Sequence, residues 1–235
     1  MGPVVLAGVH AVKHALRFGA ELDRLVAADP AAAVALMTTV APDIAARLAP
    51  VADRPSSGPV PAGGRLVVER VAEEEVTRLA GGRADLVGLA RRPLAARAGT
   101  GPAVLLDNPR HLGNVGAVVR VAAGFGARAV LTTGTVDPWH PTVVRAAAGL
   151  HWAVDVRRVT EVPAPLVAFD PAGTDLRTVT LPADATLAFG SERHGLSAEV
   201  RARATEVLAI PIRPHVSSYN LATSVAVALY AWAGR

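Results

Sequence analysis

From residue 103 onward, short apolar segments of strand length alternate with segments of helical composition, and this alternation constrains the fold more than any other feature. The predicted strands cover 103–107, 128–134, 165–170, 185–192 and 206–212. The predicted helices cover 113–127, 141–154, 197–204 and 217–233. Such an alternation favours an α/β fold in which helices cover both faces of a parallel sheet. Ligands of these sheets bind beyond the carboxyl ends of the strands, so we expect sites at the turns after 107, 190 and 212.

The first 95 residues are less regular and predict a smaller α/β domain. Helices are predicted at 8–19, at 30–50 with a break at Pro42, and at 72–82, and strands at 22–30, 65–71 and 84–90. The stretch 52–64 contains three Pro, three Gly and two Ser, which predicts a loop. The pattern changes near 91–102. We therefore expect a first domain at 1–95, a linker at 96–102 and a second domain at 103–235.

Composition excludes several classes of protein. The chain of 235 residues has no cysteine, which excludes disulfides, thiolate catalysis and cysteine-based metal sites. Its formal charge of +4 permits nucleic-acid binding without demonstrating it. Lys13 is the only lysine, so the cationic side chains are almost all Arg, the better bidentate ligand of phosphate. The N-terminus lacks a secretory pattern, and we expect a cytoplasmic protein.

The stretch 214–234 carries no charged side chain, and its length raises the question of a membrane span. Its first half contains Pro, His, Ser, Asn and Thr, however, and polar groups in lipid need partners. A spanning segment is normally apolar throughout. We therefore expect no membrane role and predict a buried helix that follows a polar turn.

The turn after 107 leads into GNVGAVVR, residues 113–120, with glycines at Gly113 and Gly116. This spacing lacks the G-x-G-x-x-G fingerprint, which argues against a nucleotide-binding oxidoreductase. Arg120 stands among Val and Ala, where a guanidinium needs either a partner or an exit to water. From the residues alone, a structural ion pair and a functional site both remain open.

Two further turns carry polar residues between glycines or at a helix start. In FGSERHG, residues 189–195, Gly190 and Gly195 flank Glu192, which fits either close ligand approach or an ordinary strand–helix loop. In the third turn, Ser218 and Asn220 follow the apolar Ile210 and begin a helix. Such residues either bind ligand polar atoms or cap the helix.

Taken in order, G-N-x-G-A-x-x-R, F-G-S-E-x-x-G and the I-P…S-S-Y-N-L stretch resemble the three signature motifs of the SpoU, or TrmH-like, ribose methyltransferases of the SPOUT superfamily. The resemblance covers about residues 103–233. Tyr219 replaces the usual Leu, and His194 stands where the family often has a small or acidic residue. Residues 1–95 resemble, more faintly, the L30e-like RNA-binding domain that many of these enzymes carry.

The resemblance implies a SPOUT methyltransferase domain with a trefoil knot, preceded by a smaller L30e-like domain. It implies methyl transfer from S-adenosyl-L-methionine to a ribose 2′-OH of RNA, with rRNA favoured over tRNA, by a homodimer formed through the C-terminal domain. No metal is required. The target nucleotide, and a housekeeping or antibiotic-resistance role, stay open. The alternative is a catalytically silent RNA-binding module that keeps the fold.

The resemblance also implies roles for individual residues. Arg120 would stabilise the developing alkoxide, because a guanidinium holds its proton strongly and is a poor base. Four polar residues would fix that Arg, the ribose and the cofactor: Asn114, Glu192, Ser218 and Asn220. Six residues would contact or lie near the cofactor: Leu187, Gly190, Ile210, Ser218, Tyr219 and Leu221.

Overall fold

The computed structural model describes residues 2–50, 65–93 and 100–234. The loop predicted at 52–64 and most of the linker predicted at 96–102 therefore lie outside the described residues. The chain divides into two compact units, which are Met1–Ala95 with Ala148–Trp152, and Ala96–Ala147 with Ala153–Arg235. None of the helices in the described ranges combines the length and the apolar character that a membrane crossing requires.

The first unit contains a mixed sheet of five strands in the order β1-β5-β2-β4-β3. The strands are β1 (Val4–Ala7), β2 (Leu22–Ala27), β3 (Leu48–Pro50), β4 (Leu66–Arg70) and β5 (Val87–Ala90). The helices are α1 (Val9–Arg17), α2 (Pro30–Val40), α3 (Pro42–Ala45) and α4 (Glu73–Ala80). Pro42 separates α2 from α3, and Gly81 ends α4 with a φ of 64°. The L30e-like identity of this unit stays a prediction.

The second unit is built on a six-stranded sheet in the order β11-β9-β10-β6-β7-β8, in which every pair is parallel. The strands are β6 (Ala103–Leu106), β7 (Ala129–Thr132), β8 (Asp155–Arg158), β9 (Leu166–Asp175), β10 (Thr186–Phe189) and β11 (Glu206–Ala209). The helices are α5 (Leu112–Phe125), α6 (Pro141–Ala146), α7 (Ala198–Arg203) and α8 (Leu221–Ala233). This arrangement confirms the predicted α/β class with a parallel sheet. The trefoil knot stays a prediction.

The register of the sheet aligns the carboxyl ends of its central strands. Leu106 lies opposite both Thr132 and Phe189, and Phe189 lies opposite Phe169. The rings of Phe169 and Phe189 stack with centroids 4.7 Å apart. The polar residues that follow β6, β7 and β10 therefore leave the sheet at one edge, as the rule for parallel sheets predicts.

Several predicted boundaries were wrong. The helix predicted at 141–154 ends at Ala146, because Ala148 and Gly149 have φ of 50° and 73° and interrupt helical geometry. The last helix begins at Leu221 rather than at 217, since the preceding Asn220 caps it. The strand predicted at 206–212 ends at Ala209.

A tight contact between α5 and α6 explains one glycine of the first motif. A Cβ at Gly116 would lie 2.5 Å from both the Ala146 Cβ and the Val143 carbonyl oxygen. At Gly113, nothing lies within 4 Å of the same added atom. Gly116 therefore permits close helix packing, whereas Gly113 is not constrained by space.

Candidate active site

A chain of side-chain hydrogen bonds joins the three polar turns. The Asn114 amide nitrogen Nδ2 donates to Oε1 of Glu192 over 2.8 Å. The Asn220 Nδ2 donates to Oδ1 of Asn114 over 3.1 Å, and Oδ1 of Asn220 accepts from the backbone N–H of Ala222 over 2.9 Å. Asn114 therefore uses both ends of its amide. The structure brings together Asn114, Glu192 and Asn220, which were predicted from separate motifs.

Glu192 lies in a tightly closed turn. The backbone N–H and carbonyl groups of Ser191 and Gly195 bond each other in both directions, over 2.9 and 3.0 Å. A Cβ at Gly190 would lie 2.0 Å from the Gly195 carbonyl carbon, so only glycine fits there without a backbone shift. Gly190 therefore allows the backbone of residue 190 to pack directly against the backbone of Gly195.

The Glu192 carboxyl group has a pKa below its usual value. Partial burial raises this pKa, but the hydrogen bond from Asn114 and those from backbone N–H groups, including that of Arg110, outweigh the effect of burial. The electrostatic interaction with His111 also lowers this pKa. At neutral pH, Glu192 is therefore a carboxylate that accepts hydrogen bonds.

A cavity of about 340 Å³ lies along the second half of β9 and beyond the end of β11. Ile210, Ser218 and Tyr219 line it, and the Tyr219 hydroxyl donates to the Pro211 carbonyl over 3.0 Å. Their role in cofactor binding stays a prediction. Three other residues predicted near a cofactor are not among the lining residues: Leu187, buried in β10; Gly190, packed against Gly195; and Leu221, the first residue of α8.

Residues 101–230 match the model of the SpoU rRNA Methylase family. The match covers more than half of the chain and includes all three turns. The chain belongs to the SpoU family. The family predicted from the three motifs is therefore confirmed.

Relatives of the SpoU chain include an uncharacterized tRNA/rRNA methyltransferase of Synechocystis, 35% identical over 139 residues, with 54% of this chain and 51% of the relative covered. Another is the 23S rRNA (adenosine(1067)-2'-O)-methyltransferase of Streptomyces laurentii, 31% identical over 172 residues, with 63% and 62% covered. The chain therefore spans less than two thirds of the length of either relative.

The crystal structure of the SpoU methyltransferase AviRb from Streptomyces viridochromogenes, in complex with the cofactor AdoMet, is similar over 99% of this chain and 90% of AviRb. Its TM-score is 0.73 and its sequence identity 20%. At that sequence identity, the similarity establishes the fold of both units but not which ligands this chain binds.

One wall of the cavity in this SpoU chain consists of residues that were not predicted from the sequence. β9 contributes Phe169, Asp170, Gly173 and Asp175 to the lining. Hydrogen bonds from Arg201 and Arg177 hold the pKa of Asp170 and Asp175, respectively, below the usual range. Asp170 ends the predicted strand 165–170, so the rule that polar strand ends form sites could have found it.

Arg120 does not join the hydrogen-bonded cluster. Six residues separate it from Asn114, which at about 100° per residue turns its side chain to another side of the helix. The side chains of Arg110, Arg120 and Arg193 are exposed and form no hydrogen bond or ion pair with any other described residue. Within the described ranges, the structural ion pair considered for Arg120 therefore has no partner, and its guanidinium reaches water.

Proposed function

We propose that this chain transfers a methyl group from S-adenosyl-L-methionine to a ribose 2′-OH of RNA, and that the RNA is ribosomal. The observation that carries the proposal is the hydrogen-bonded cluster of Asn114, Glu192 and Asn220. Asn220 directly follows Ser218 and Tyr219, which line the cavity. The relative from Streptomyces laurentii is named as a 23S rRNA 2′-O-methyltransferase, which supports ribosomal RNA as the substrate.

The residues around the cavity fit this cofactor. The volume of about 340 Å³ lies within the range of roughly 300–1,000 Å³ typical of small-molecule sites. Apolar walls from Phe169, Ile210 and Tyr219 suit an adenine ring, and Ser218 offers a hydroxyl. Asp170 and Asp175 add carboxylate oxygens to the lining, which would suit polar groups of the cofactor. When bound, the cofactor supplies an electrophilic methyl group.

We infer that Arg120 acts on the ribose oxygen. A guanidinium is a poor base, so Arg120 stabilises the negative charge that develops on the 2′-oxygen rather than removing the proton. An RNA phosphate is our candidate for the proton acceptor. Glu192, Asn114 and Asn220 hold their positions through the bonds described above, and Glu192 is ionised, so none of the three donates a catalytic proton. Positioning and electrostatics provide the rate enhancement.

Arg110 and Arg193 support the assignment of RNA as the partner. Both side chains are exposed, and neither has a carboxylate partner among the described residues. Both also lie near Glu192, because the backbone of Arg110 hydrogen-bonds to its carboxylate and Arg193 is the next residue in the sequence. An unpaired guanidinium is available to bind a phosphate bidentately. We therefore expect these side chains to bind the RNA backbone. An rRNA substrate also supports a cytoplasmic location.

The exposed face of α8 supports a homodimer. Tyr230 is 72% exposed and Val227 is 38% exposed, and their spacing of three places them on the same side of the helix. An exposed apolar stripe of this kind is typical of an interaction surface. A second copy would also supply an Arg120 that the cluster lacks on its own chain. We propose that α8 contributes to the dimer interface.

A deletion strain of the organism that encodes the chain tests the proposed function. Ribose methylation would be mapped across its rRNA and tRNA. We expect the loss of a single 2′-O-methyl group from 23S rRNA, restored by the wild-type gene but not by Arg120→Ala. An unchanged ribose methylation pattern would overturn the proposal, and a loss confined to tRNA would overturn the choice of rRNA.

A further inference from the structure

Asp107 is the one buried carboxylate among the described residues of the second unit, with 5% of its surface exposed. It directly follows β6, at the edge of the sheet where the polar turns meet. None of the three family motifs contains it, and the mechanism above does not use it. A buried carboxylate needs hydrogen-bond donors, and those that Asp107 has found indicate its role.

The first set of contacts links Asp107 to both ends of the turn that carries Glu192. Its backbone N–H donates to the Phe189 carbonyl over 2.8 Å, just before the turn begins. Its side-chain Oδ2 accepts from the backbone N–H of Ser197 over 2.6 Å, just after the turn ends. A single residue therefore bonds the entry and the exit of the segment 190–197.

The second set of contacts fixes the carboxylate itself. Oδ1 of Asp107 accepts from the Thr133 hydroxyl over 2.8 Å, and that hydroxyl accepts in turn from the backbone N–H of Asn108 over 2.8 Å. The backbone N–H of Thr133 donates to the Leu106 carbonyl, which ties the group to β6. The Asp107 side chain is thereby held against the rigid sheet and cannot rotate freely.

The turn between these two anchors has little freedom of its own. Ser191 and Gly195 bond each other in both directions, and the His194 N–H donates to the Ser191 hydroxyl over 3.3 Å. Because the turn is rigid, the position of its exit determines where Glu192 lies. Catalytic groups lose about 10²-fold in rate when they are displaced by about 1 Å.

We propose that Asp107 is a positioning residue that holds the 190–197 turn so that Glu192 meets Asn114. The inference rests on the proposed function, in that the Glu192–Asn114 contact is taken to serve methyl transfer. Asp107 is buried and does not line the cavity, so its effect reaches the site through Glu192.

Asp107→Asn tests this role because it keeps the shape and replaces one acceptor oxygen by a donor. We expect kcat to fall about 10- to 100-fold, while KM for RNA and Kd for S-adenosyl-L-methionine change less than about threefold. In a Glu192→Ala background the same substitution should add less than about twofold, because the two residues act as a unit. A purely structural role would give equal losses in both backgrounds, and that result would overturn the proposal.

A second pair of variants tests the same bond from the other side and remains informative if Asp107→Asn folds poorly. Ser197 has a φ of −63°, which proline adopts, so Ser197→Pro removes the N–H donor without requiring a new φ. Ser197→Ala removes only the hydroxyl that caps α7 and keeps the N–H. We expect a large kcat loss for the Pro variant only; equal kcat values for the two would contradict the proposal.

Hydrogen exchange separates this inference from the proposed function. The amides of Gly195 and Ser197 should exchange faster in Asp107→Asn than in the wild type, whether or not a methylated RNA is found. A wild-type protein that methylates no RNA would refute the proposed function alone. Unchanged exchange together with wild-type kcat in Asp107→Asn would refute the positioning role alone.

Discussion

Asn114 and Glu192, separated by 78 positions in the sequence, are joined by a 2.8 Å hydrogen bond from the Asn114 amide to the Glu192 carboxylate. The other end of that amide accepts from Asn220. An amide that is engaged at both ends has only one orientation that satisfies both partners. The three motifs of the family are therefore coupled through a single side chain.

Glu192→Gln tests whether the ionised form of the Glu192 carboxylate stabilises the fold. The folded-state pKa of Glu192 is lowered, so its contribution to stability is complete above the ordinary glutamate pKa of about 4.3 and is lost as pH falls through the lower folded value. The difference in unfolding free energy between wild type and Glu192→Gln should therefore be constant from about pH 6 to about pH 8 and shrink below about pH 4. Urea titrations would measure it. A difference that grows as pH falls would refute the assignment.

The two glycines of the first motif should respond differently to alanine. Gly116→Ala places a Cβ 2.5 Å from Ala146 and should cost about 1–3 kcal/mol of unfolding free energy through overpacking. Gly113→Ala meets nothing within 4 Å and should change that free energy by less than about 0.5 kcal/mol. Thermal and urea unfolding of both variants would decide; similar losses would show that packing against α6 is not the reason for Gly116.

Tyr219, which replaces the usual Leu of the family, should strengthen cofactor binding through its hydroxyl. The bond to the Pro211 carbonyl holds one side of the cavity in place before the cofactor binds, and a hydrogen bond is worth about 0.5–1.5 kcal/mol. Tyr219→Phe should therefore weaken binding of S-adenosyl-L-methionine by up to about tenfold, through lost preorganisation. Tyr230→Phe, outside the cavity lining, is the matched control. Equal Kd values for wild type and Tyr219→Phe in calorimetry would argue against this role.

Three of the five strands of the first unit (β2, β4 and β5) and five of the six strands of the second could be predicted from the sequence, because periodicity is a local property, whereas β1 and β3 were missed. Predictions failed where the outcome depends on distant partners. β8 was missed since Asp155, Arg157 and Arg158 make an edge strand look polar. β9 extends past its predicted end because it pairs with β11 after a shift in register, and this extension forms the missed wall of the cavity.

The candidate site shows the same division. The motifs identified Asn114, Glu192 and Asn220, but no local pattern indicates that one amide joins the other two side chains. Asp107 was noted only as the end of a strand, since its partners Thr133 and Ser197 lie 26 and 90 positions away. Strand order and register, which the sequence does not display, bring these residues together.

The salt dependence of RNA binding tests the exposed arginines near Glu192. Log affinity falls as log salt concentration rises, and each phosphate contact adds about 0.7 to 0.9 to the steepness of that fall. Arg193→Ala, which would remove one such contact, should therefore make the slope shallower by about 0.7 to 0.9. Arg157→Ala is the control, because its guanidinium already pairs with Asp155. An unchanged slope for Arg193→Ala, or an equal change for Arg157→Ala, would remove Arg193 from the RNA interface.

We propose that the three turns form one site that methylates a ribose oxygen with the help of Arg120, and a labelling experiment tests this most directly. The wild-type protein or the Arg120→Ala variant would be incubated with RNA and isotope-labelled S-adenosyl-L-methionine. The RNA would then be digested to nucleosides and analysed by mass spectrometry. The wild type should yield one labelled 2′-O-methylnucleoside, and Arg120→Ala should form it at least about 10²-fold more slowly, with cofactor Kd unchanged within about threefold. Label on a base, or a wild-type rate in Arg120→Ala, would contradict the account.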